Sequence, residues 1–312
     1  MSINAPVLVL ESFPVLNGRE FNPASYALRF RENSLVVKAR AKEIAYGSHW
    51  GLLSIKCAFN GTERYEQRGM SYAVTDRNFL ILNNGSVRSS RISSKNEVTS
   101  FTLSFSPVLE TNMWYSIRNK HEKNLDNPLP YQKGEEFRFV ERLYEHGSSK
   151  ALSRSLLHLY EHVHEYDVSR LSEMIVQILE QMYREQENIG TEIAAMEYMR
   201  ESTKRELYTR LHRAKDYIES NFKEELTLET IGQVACLNPC YLLREYKKLF
   251  KTTPYKYLQR VRMIEARQML CYSDRSITEI CHDIGFNDPS SFSKLYKRTF
   301  RISPSKNRQI PI

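Results

Sequence analysis

The sequence predicts an α+β chain of two domains, with an antiparallel β domain first, a helical connector next and an all-α domain last. Three observations carry that expectation. The hydrophobic period is two as far as about Tyr131 and becomes three or four from about Glu135. A stretch near the C-terminus is written twice, about fifty residues apart. The whole excess of positive charge lies in residues 201–312. The boundaries that follow are 1–134, 135–203 and 204–312.

In the first part, "SLVVKARAKEI", "WGLLSIKCAFNG", "NFLILNNG" and "VTSFTLSFS" are short runs rich in β-branched and aromatic residues, with turns at Asn60-Gly61 and Asn84-Gly85. Phe101, Leu103 and Phe105 alternate with Thr102, Ser104 and Ser106, the pattern of a strand with one apolar and one wet face. Strands at this spacing make a sandwich or small barrel. Its interior is either a packed core or a small-molecule pocket.

The connector reads as helices over "FRFVERLYEHG", "LSRSLLHLYEHV" and "VSRLSEMIVQILEQMYREQENI". In the last, Leu171, Met174, Ile178 and Met182 share a stripe with Leu179 beside it. The stripe either docks on the β domain or pairs with a second copy. A homodimer through Val168 to Ile189 is the expectation built on the second option. His158, His162 and Glu161 fall within about one helical turn, with His164 nearby, but no cysteine or third spaced ligand joins them, so no metal is expected.

The last part is helical throughout. "LYTRLHRAKDYIESNF", "LTLETIGQVACL", "PCYLLREYKKLF" and "PYKYLQRVRMIEARQMLCYS" give four helices, and "SITEICHDIGF" with "PSSFSKLYKRTF" repeat the second and third. Two helix-turn-helix units result, about 226–250 and 276–300, joined by a long helix. The turn "IGFNDP" has one residue more than "ACLNP", so the register is forty-nine before the turn and fifty after it. Gly285 allows a positive φ in the second turn, and Cys236 stands in its place in the first without that freedom. Asn238-Pro239 and Asp288-Pro289 each supply an N-cap acceptor and a residue without an N–H at N1.

Leu242, Tyr246, Phe292 and Tyr296 lie at i and i+4 and face inward, which turns Leu243, Arg244 and Lys247, and Ser290, Ser293, Lys294 and Lys297, outward. From Glu201 to Ile312 there are 21 Lys plus Arg against 13 Asp plus Glu, which is the entire net charge of +8. Segregated positive charge on paired helices of this size points to double-stranded DNA, whose major groove admits an α-helix. Two such helices on a rigid spacer reach successive grooves roughly 34 Å apart.

Other classes find no support. No nucleophile elbow, phosphate loop, HExxH or dinucleotide glycine pattern occurs, so neither a catalytic residue nor a cofactor is nominated. His49 is the only histidine in the first 120 residues, too few for a metal site on the strands. The five cysteines are odd in number and form no CxxC pair, which fits a reducing cytoplasm. The N-terminus has no basic leader, and no run of about eighteen apolar residues occurs, so neither secretion nor a membrane partner is expected.

The stretch "SITEICHDIGFNDPSSFSKLYKRTFRISPSKNR" resembles the AraC/XylS family of bacterial transcription regulators through Ile280, Gly285, Phe286, Phe292, Lys297, Phe300, Ser303, Pro304 and Arg308. Arg262 and Ala266 in "YLQRVRMIEARQML" stand where that family's linker helix has them. The resemblance covers residues 207–308; the N-terminal sheet is more distantly similar to the family's cupin-like effector domains. It implies base reading by Cys240, Leu243 and Arg244 in the first unit and by Ser290, Ser293 and Lys294 in the second. Phosphate contact falls to Lys247, Lys248, Lys297 and Arg298. Lys251 and Arg301 depart from the family, which has glycine there. The resemblance further implies a bacterial activator that touches RNA polymerase and responds to a small-molecule effector. The alternative is a regulator whose N-terminal domain only dimerises or binds protein.

Overall fold

Two long strands, β2 (Ser34–Gly51) and β7 (Ser86–Ser104), organise the N-terminal sheet in the computed structural model, which describes residues 6–14, 31–118, 137–197 and 200–308. The remaining strands are β1 (Val7–Leu10), β3 (Ser54–Phe59), β4 (Glu63–Gln67), β5 (Met70–Val74), β6 (Asn78–Leu82) and β8 (Leu143–Glu145). The order is β1-β2-β7-β3-β6-β8, with β4 on the first half of β7 and β5 on β4. The register of β2 against β7 breaks between Ala41 and Glu43 and between Tyr46 and His49. Such breaks bend a strand and sharpen its twist. As a result the second half of β7 pairs with β3 and the first half with β4.

The architecture is the expected α+β one, with three differences in the sheet. β1 runs parallel to β2, so the sheet is mixed. Among the described residues no pairing joins the ends of the order, so the sheet is open and a cupin-like closed barrel is not found. The segment "FRFVERLYEHG", expected to be helical, holds strand β8 on the edge of β6. Tertiary partners override its helical period. Asn83 exchanges two bonds of 2.9 Å with the backbone of Phe139, Gln186 Oε1 accepts from Val140 N at 2.9 Å, and Tyr144 stacks on Phe79 at 5.3 Å.

Helix α1 (Pro107–Arg118) falls within a region expected to be strand. Its start carries a readable signal, because Ser106 Oγ accepts from Leu109 N at 3.1 Å and Pro107 opens the first turn. Helices α2 (Lys150–His162) and α3 (Val168–Ala194) complete the first unit, Met1–Arg205. Tyr160 of α2 stacks on Phe59 at 4.0 Å and meets Phe101 edge-on at 5.5 Å, which covers the apolar face of β3 and β7. Leu171, Met174, Ile178, Leu179 and Met182 are all buried within this unit, where α3 packs against α1, α2 and β1. The stripe is therefore intramolecular core, and the dimer surface expected from it does not exist as an exposed face.

The second unit, Glu206–Ile312, follows the repeat. Its helices are α4 (Glu201–Ser220, of which residues 206–220 belong to this unit), α5 (Leu228–Ala235), α6 (Pro239–Phe250), α7 (Pro254–Tyr272), α8 (Ile277–Asp283), α9 (Pro289–Phe300) and α10 (Pro304–Arg308). Capping boxes open α5 at Thr227 with Thr230 and α8 at Ser276 with Glu279. Leu242, Tyr246, Phe292 and Tyr296 are fully buried. Tyr246 meets Phe250 at a ring distance of 4.5 Å, and Tyr296 meets Phe300 at 4.7 Å, so the two units share one packing solution. Around Phe292 and Tyr296 close Met263, Ala266 and Leu270 of α7 and Ile280, Cys281 and Ile284, a core in which an aromatic-to-alanine change costs about 3–5 kcal/mol.

Candidate nucleic-acid interface and interior pocket

Each of the helices α6 and α9 begins abruptly. Asn238 Oδ1 accepts from Cys240 N at 3.0 Å, and the Asp288 carboxylate accepts from Ser290 N at 3.1 Å and Ser291 N at 2.8 Å. Hydrogen bonds from Ser291 and Ser290 hold the Asp288 carboxyl below its ordinary pKa. The preceding turns reverse through left-handed residues, Gly285 at φ 83° and Cys236 at φ 54°. Cys236 thus adopts the conformation for which it lacks glycine's freedom. At Gly285 a Cβ would also lie 2.5 Å from Lys223 O and 2.7 Å from Arg262 Nη2, so space as well as φ requires glycine. Arg262 of α7 donates to Phe222 O at 2.7 Å and Glu224 O at 2.8 Å, tying the end of α4 to α7 beside the second turn.

On α6 the side chains of Cys240, Leu243, Arg244, Lys247 and Lys248 are exposed; on α9 those of Ser290, Lys294, Lys297 and Arg298 are exposed and Ser293 is partly so. All the nominated side chains therefore lie away from the buried faces of their helices. One feature went unread in the sequence. The Glu245 side chain is only 8% exposed; its Oε1 accepts from Arg244 Nε at 2.8 Å and from Lys248 Nζ at 3.2 Å. The Arg244 guanidinium also lies 5.0 Å from the Tyr241 ring centroid. Helix α9 carries no acidic residue at all.

The first unit holds a separate feature, a partly open pocket of about 70 Å³ on the sheet, lined from β2, β3, β4 and β7. Registers place Val37, Thr102 and Lys56 side by side across β2, β7 and β3, and Tyr46, Ser90 and Tyr65 across β2, β7 and β4. Thr102 and Ser104, expected on a wet face, are 7% exposed and line this cavity. Lys56 Nζ donates to Thr102 Oγ1 at 3.2 Å, and Arg88 Nη2 donates to Leu52 O at 2.9 Å. Glu63 is buried and hydrogen-bonded to Ser100, Tyr65 and Ser90. Burial raises the Glu63 pKa; burial and then the Arg88 charge lower that of Lys56. The readable signal was three charged residues inside otherwise strand-like runs, at positions where a plain core would have none.

His158 and His162 of α2, whose rings lie 4.7 Å apart, and His164 beyond its end take different polar partners. His158 Nε2 lies 2.6 Å from Tyr166 Oη, His162 Nδ1 lies 2.9 Å from Glu165, and His164 Nδ1 lies 3.3 Å from Glu11. Among the described residues no helix is long and apolar enough to cross a membrane.

Residues 231–310 match a family described as a helix-turn-helix domain. The HTH-type transcriptional activator RhaS of Enterobacter sp. (strain 638) is 39% identical over 100 residues, which span 32% of this chain and 36% of that protein. The chain thus spans about a third of the length of the curated relatives it matches. Among solved structures, a transcriptional regulator with an AraC-type DNA-binding domain from Chromobacterium violaceum is 31% identical, over 32% of this chain and 89% of that one, with a TM-score of 0.31. The C-terminal domain of AraT, a response regulator from Geobacillus stearothermophilus, is 28% identical, over 33% of this chain and 87% of that one, with a TM-score of 0.32.

Proposed function

We propose that this chain, whose C-terminal unit has the AraC/XylS-type helix-turn-helix architecture, is a sequence-specific DNA-binding transcription regulator, an activator whose N-terminal unit takes a small-molecule effector. The observation that carries it is the pair α6 and α9, with matching caps, matching buried aromatics and outward cations, in the part of the chain that holds the whole positive excess. In this reading Arg244 donates to a guanine edge, Leu243 and Cys240 pack on thymine methyls, and Ser290, Ser293 and Lys294 read the second groove. Lys247, Lys248, Lys297 and Arg298 hold phosphates, which fixes register without reading sequence.

The effector part is supported by the polar pocket, because a sheet serving only as a dimerisation module has little use for buried Glu63 and Arg88 beside a half-buried Lys56. The activator part is supported by the likeness to RhaS, an HTH-type transcriptional activator, over the helix-turn-helix part; a contact to RNA polymerase is proposed as the means of activation. The homodimer uses a surface other than the α3 stripe, which is buried within the first unit. The test is selection of duplexes from a genomic fragment library by the full-length protein, followed by binding to a recovered and a scrambled duplex. A shared motif with two half-contacts one helical turn apart is expected; no enrichment over the input library refutes the reading.

A further inference from the structure

Lys56 and Glu63 come from different strands and are brought to one face of β7. Lys56 of β3 pairs with Thr102, and its Nζ donates to Thr102 Oγ1 at 3.2 Å. Glu63 of β4 is hydrogen-bonded to Ser100, which stands two residues from Thr102 and so on the same face of the strand. The amine and the carboxyl thus belong to neighbouring positions of one wall, and both line the pocket. Leu35 and Val37 of β2 give it an apolar side.

The surroundings give the pair a chemistry that an exposed ion pair lacks. An exposed lysine is free amine in only about one molecule in a few thousand at pH 7. Burial holds the Lys56 ammonium well below that ordinary range, so a far larger share of it is free amine. Glu63 is 2% exposed, and burial raises its pKa, so its carboxyl keeps a proton more readily. Its Oε2 has no hydrogen-bond partner among the described residues, which leaves that oxygen open to an incoming group. A free amine is a nucleophile, and a protonated carboxyl beside it is a general acid. At about 10–15 Å³ per water the pocket takes roughly five to seven waters, the room of a molecule of about six non-hydrogen atoms.

We infer that the pocket binds a small aldehyde covalently, as an imine on Lys56 Nζ formed with Glu63 as proton donor. This rests on the effector reading above and names the chemistry of that effector. The Lys56 amine adds its lone pair to the carbonyl carbon, and a proton moves from the nitrogen to the former carbonyl oxygen, giving a carbinolamine. Glu63 then gives its proton to that hydroxyl, the C–O bond breaks and water leaves. The products are an iminium on Lys56, a carboxylate on Glu63 and one water, so charge balances and no oxidant or reductant is needed. The N–H left on the iminium keeps Thr102 Oγ1 as its acceptor. Water reverses the step, as release of an effector requires.

The test is labelling of the full-length protein at neutral pH with propanal and cyanoborohydride, which reduces an iminium to a stable secondary amine, followed by peptide mapping. Lys56 should take up the label at least about tenfold faster than any other lysine, and urea-unfolded protein should show no such preference. Labelling spread evenly over the lysines of the folded protein overturns the imine and leaves the effector reading standing. Glu63→Gln should slow the labelling of Lys56 by about tenfold or more. Loss of the carboxylate also removes a charge that favours the ammonium, so a change in amine supply alone would quicken labelling. An equal or faster rate therefore overturns the role of Glu63. Should that variant fail to fold, the wild-type map alone decides the proposal. Protein labelled at Lys56 is then compared with unlabelled protein on a selected duplex. A changed affinity supports the aldehyde as effector; an unchanged one overturns the effector reading and leaves the imine site standing.

Discussion

Three side-chain-bearing residues of the second unit hold left-handed backbone, and replacing each by glycine separates what conformation costs from what charge contributes. They are Cys236 at φ 54°, Lys251 at φ 55° and Arg301 at φ 62°. Left-handed backbone costs such a residue about 1–2 kcal/mol relative to glycine. The extra freedom of glycine in the unfolded chain takes back about 0.5–1 kcal/mol. Cys236→Gly should therefore stabilise the unit by about 0.5–1 kcal/mol, or roughly 3–6 °C in Tm for a domain of this size. Lys251 and Arg301 also place a cation at the ends of α6 and α9, a favourable term of about 0.3–1 kcal/mol at low salt. Their glycine variants should gain less than Cys236→Gly by that amount, and the gap should close in 1 M salt. Urea titration of the fragment 204–312 at two salt concentrations measures all three. A destabilising or neutral Cys236→Gly in high salt refutes the conformational argument. On the DNA-binding proposal a phosphate contact would give these cations a second use; if Lys251 and Arg301 make one, Lys251→Gly and Arg301→Gly should each reduce the slope of log affinity against log salt by about 0.9, and an unchanged slope leaves the cations to the helix ends alone. Cys236→Gly should leave that slope alone.

Arg244→Ala should weaken binding to a selected duplex by about 1–3 kcal/mol and to a scrambled one far less, whereas Lys297→Ala should weaken both alike and lower the salt slope by about 0.9; equal losses on both duplexes remove Arg244 from the base-reading set. Ile178→Asp, which puts a charge into the closed core of the first unit, should cost at least about 3 kcal/mol and leave the sedimentation mass of the folded fraction unchanged; a drop from dimer to monomer without loss of stability would return the stripe to an intermolecular role. The Asp288 carboxyl should titrate below its ordinary value by carbon NMR. Because its folded pKa is depressed, the α9 cap is fully in place above the unfolded value and is lost as pH falls through the folded one. Asn238, at the same place on α6, should show no such dependence.

The helical unit was legible because each of its signals is local. A cap, a proline at N1 and an aromatic pair at i and i+4 lie within one or two turns of chain, and writing them twice removes the ambiguity of one copy. The sheet was legible only in part, since its decisive contacts are distant in sequence. Asn83 satisfies the backbone of Phe139, and Gln186 that of Val140; without those partners "FRFVERLYEHG" is a fair amphipathic helix. The α1 helix was missed for the opposite reason. Its Ser106-Pro107 start is as local as Asp288-Pro289, but it stands directly after a strong alternating strand, whose period carries past the cap. Thr102 and Ser104 show how alternation can mislead even when the strand is right. Period two separates a polar from an apolar face; it does not say whether the polar face meets bulk water or lines a pocket between β2, β3, β4 and β7.

Glu245 carries the same lesson into the DNA-binding surface and shifts the weight between the two recognition helices. Its neighbours in sequence, Arg244 and Lys248, were nominated as a base reader and a phosphate holder, yet both already bond to its nearly buried carboxylate. A contact from Arg244 to DNA must exchange that bond for a new one, so its net worth is the difference between two charge-assisted hydrogen bonds. The lost pair is largely exposed on the arginine side and is itself worth at most about 1 kcal/mol, which leaves base reading feasible but discounted. Helix α9 has three cations and no acid, so Lys294, Lys297 and Arg298 face no carboxylate on their own helix. On the proposed function, counterion release, which drives association with any duplex, is accordingly the greater contribution expected of the second unit. The first, with Leu243 and Cys240 beside a restrained Arg244, is suited to reading shape and thymine methyls once the second has docked.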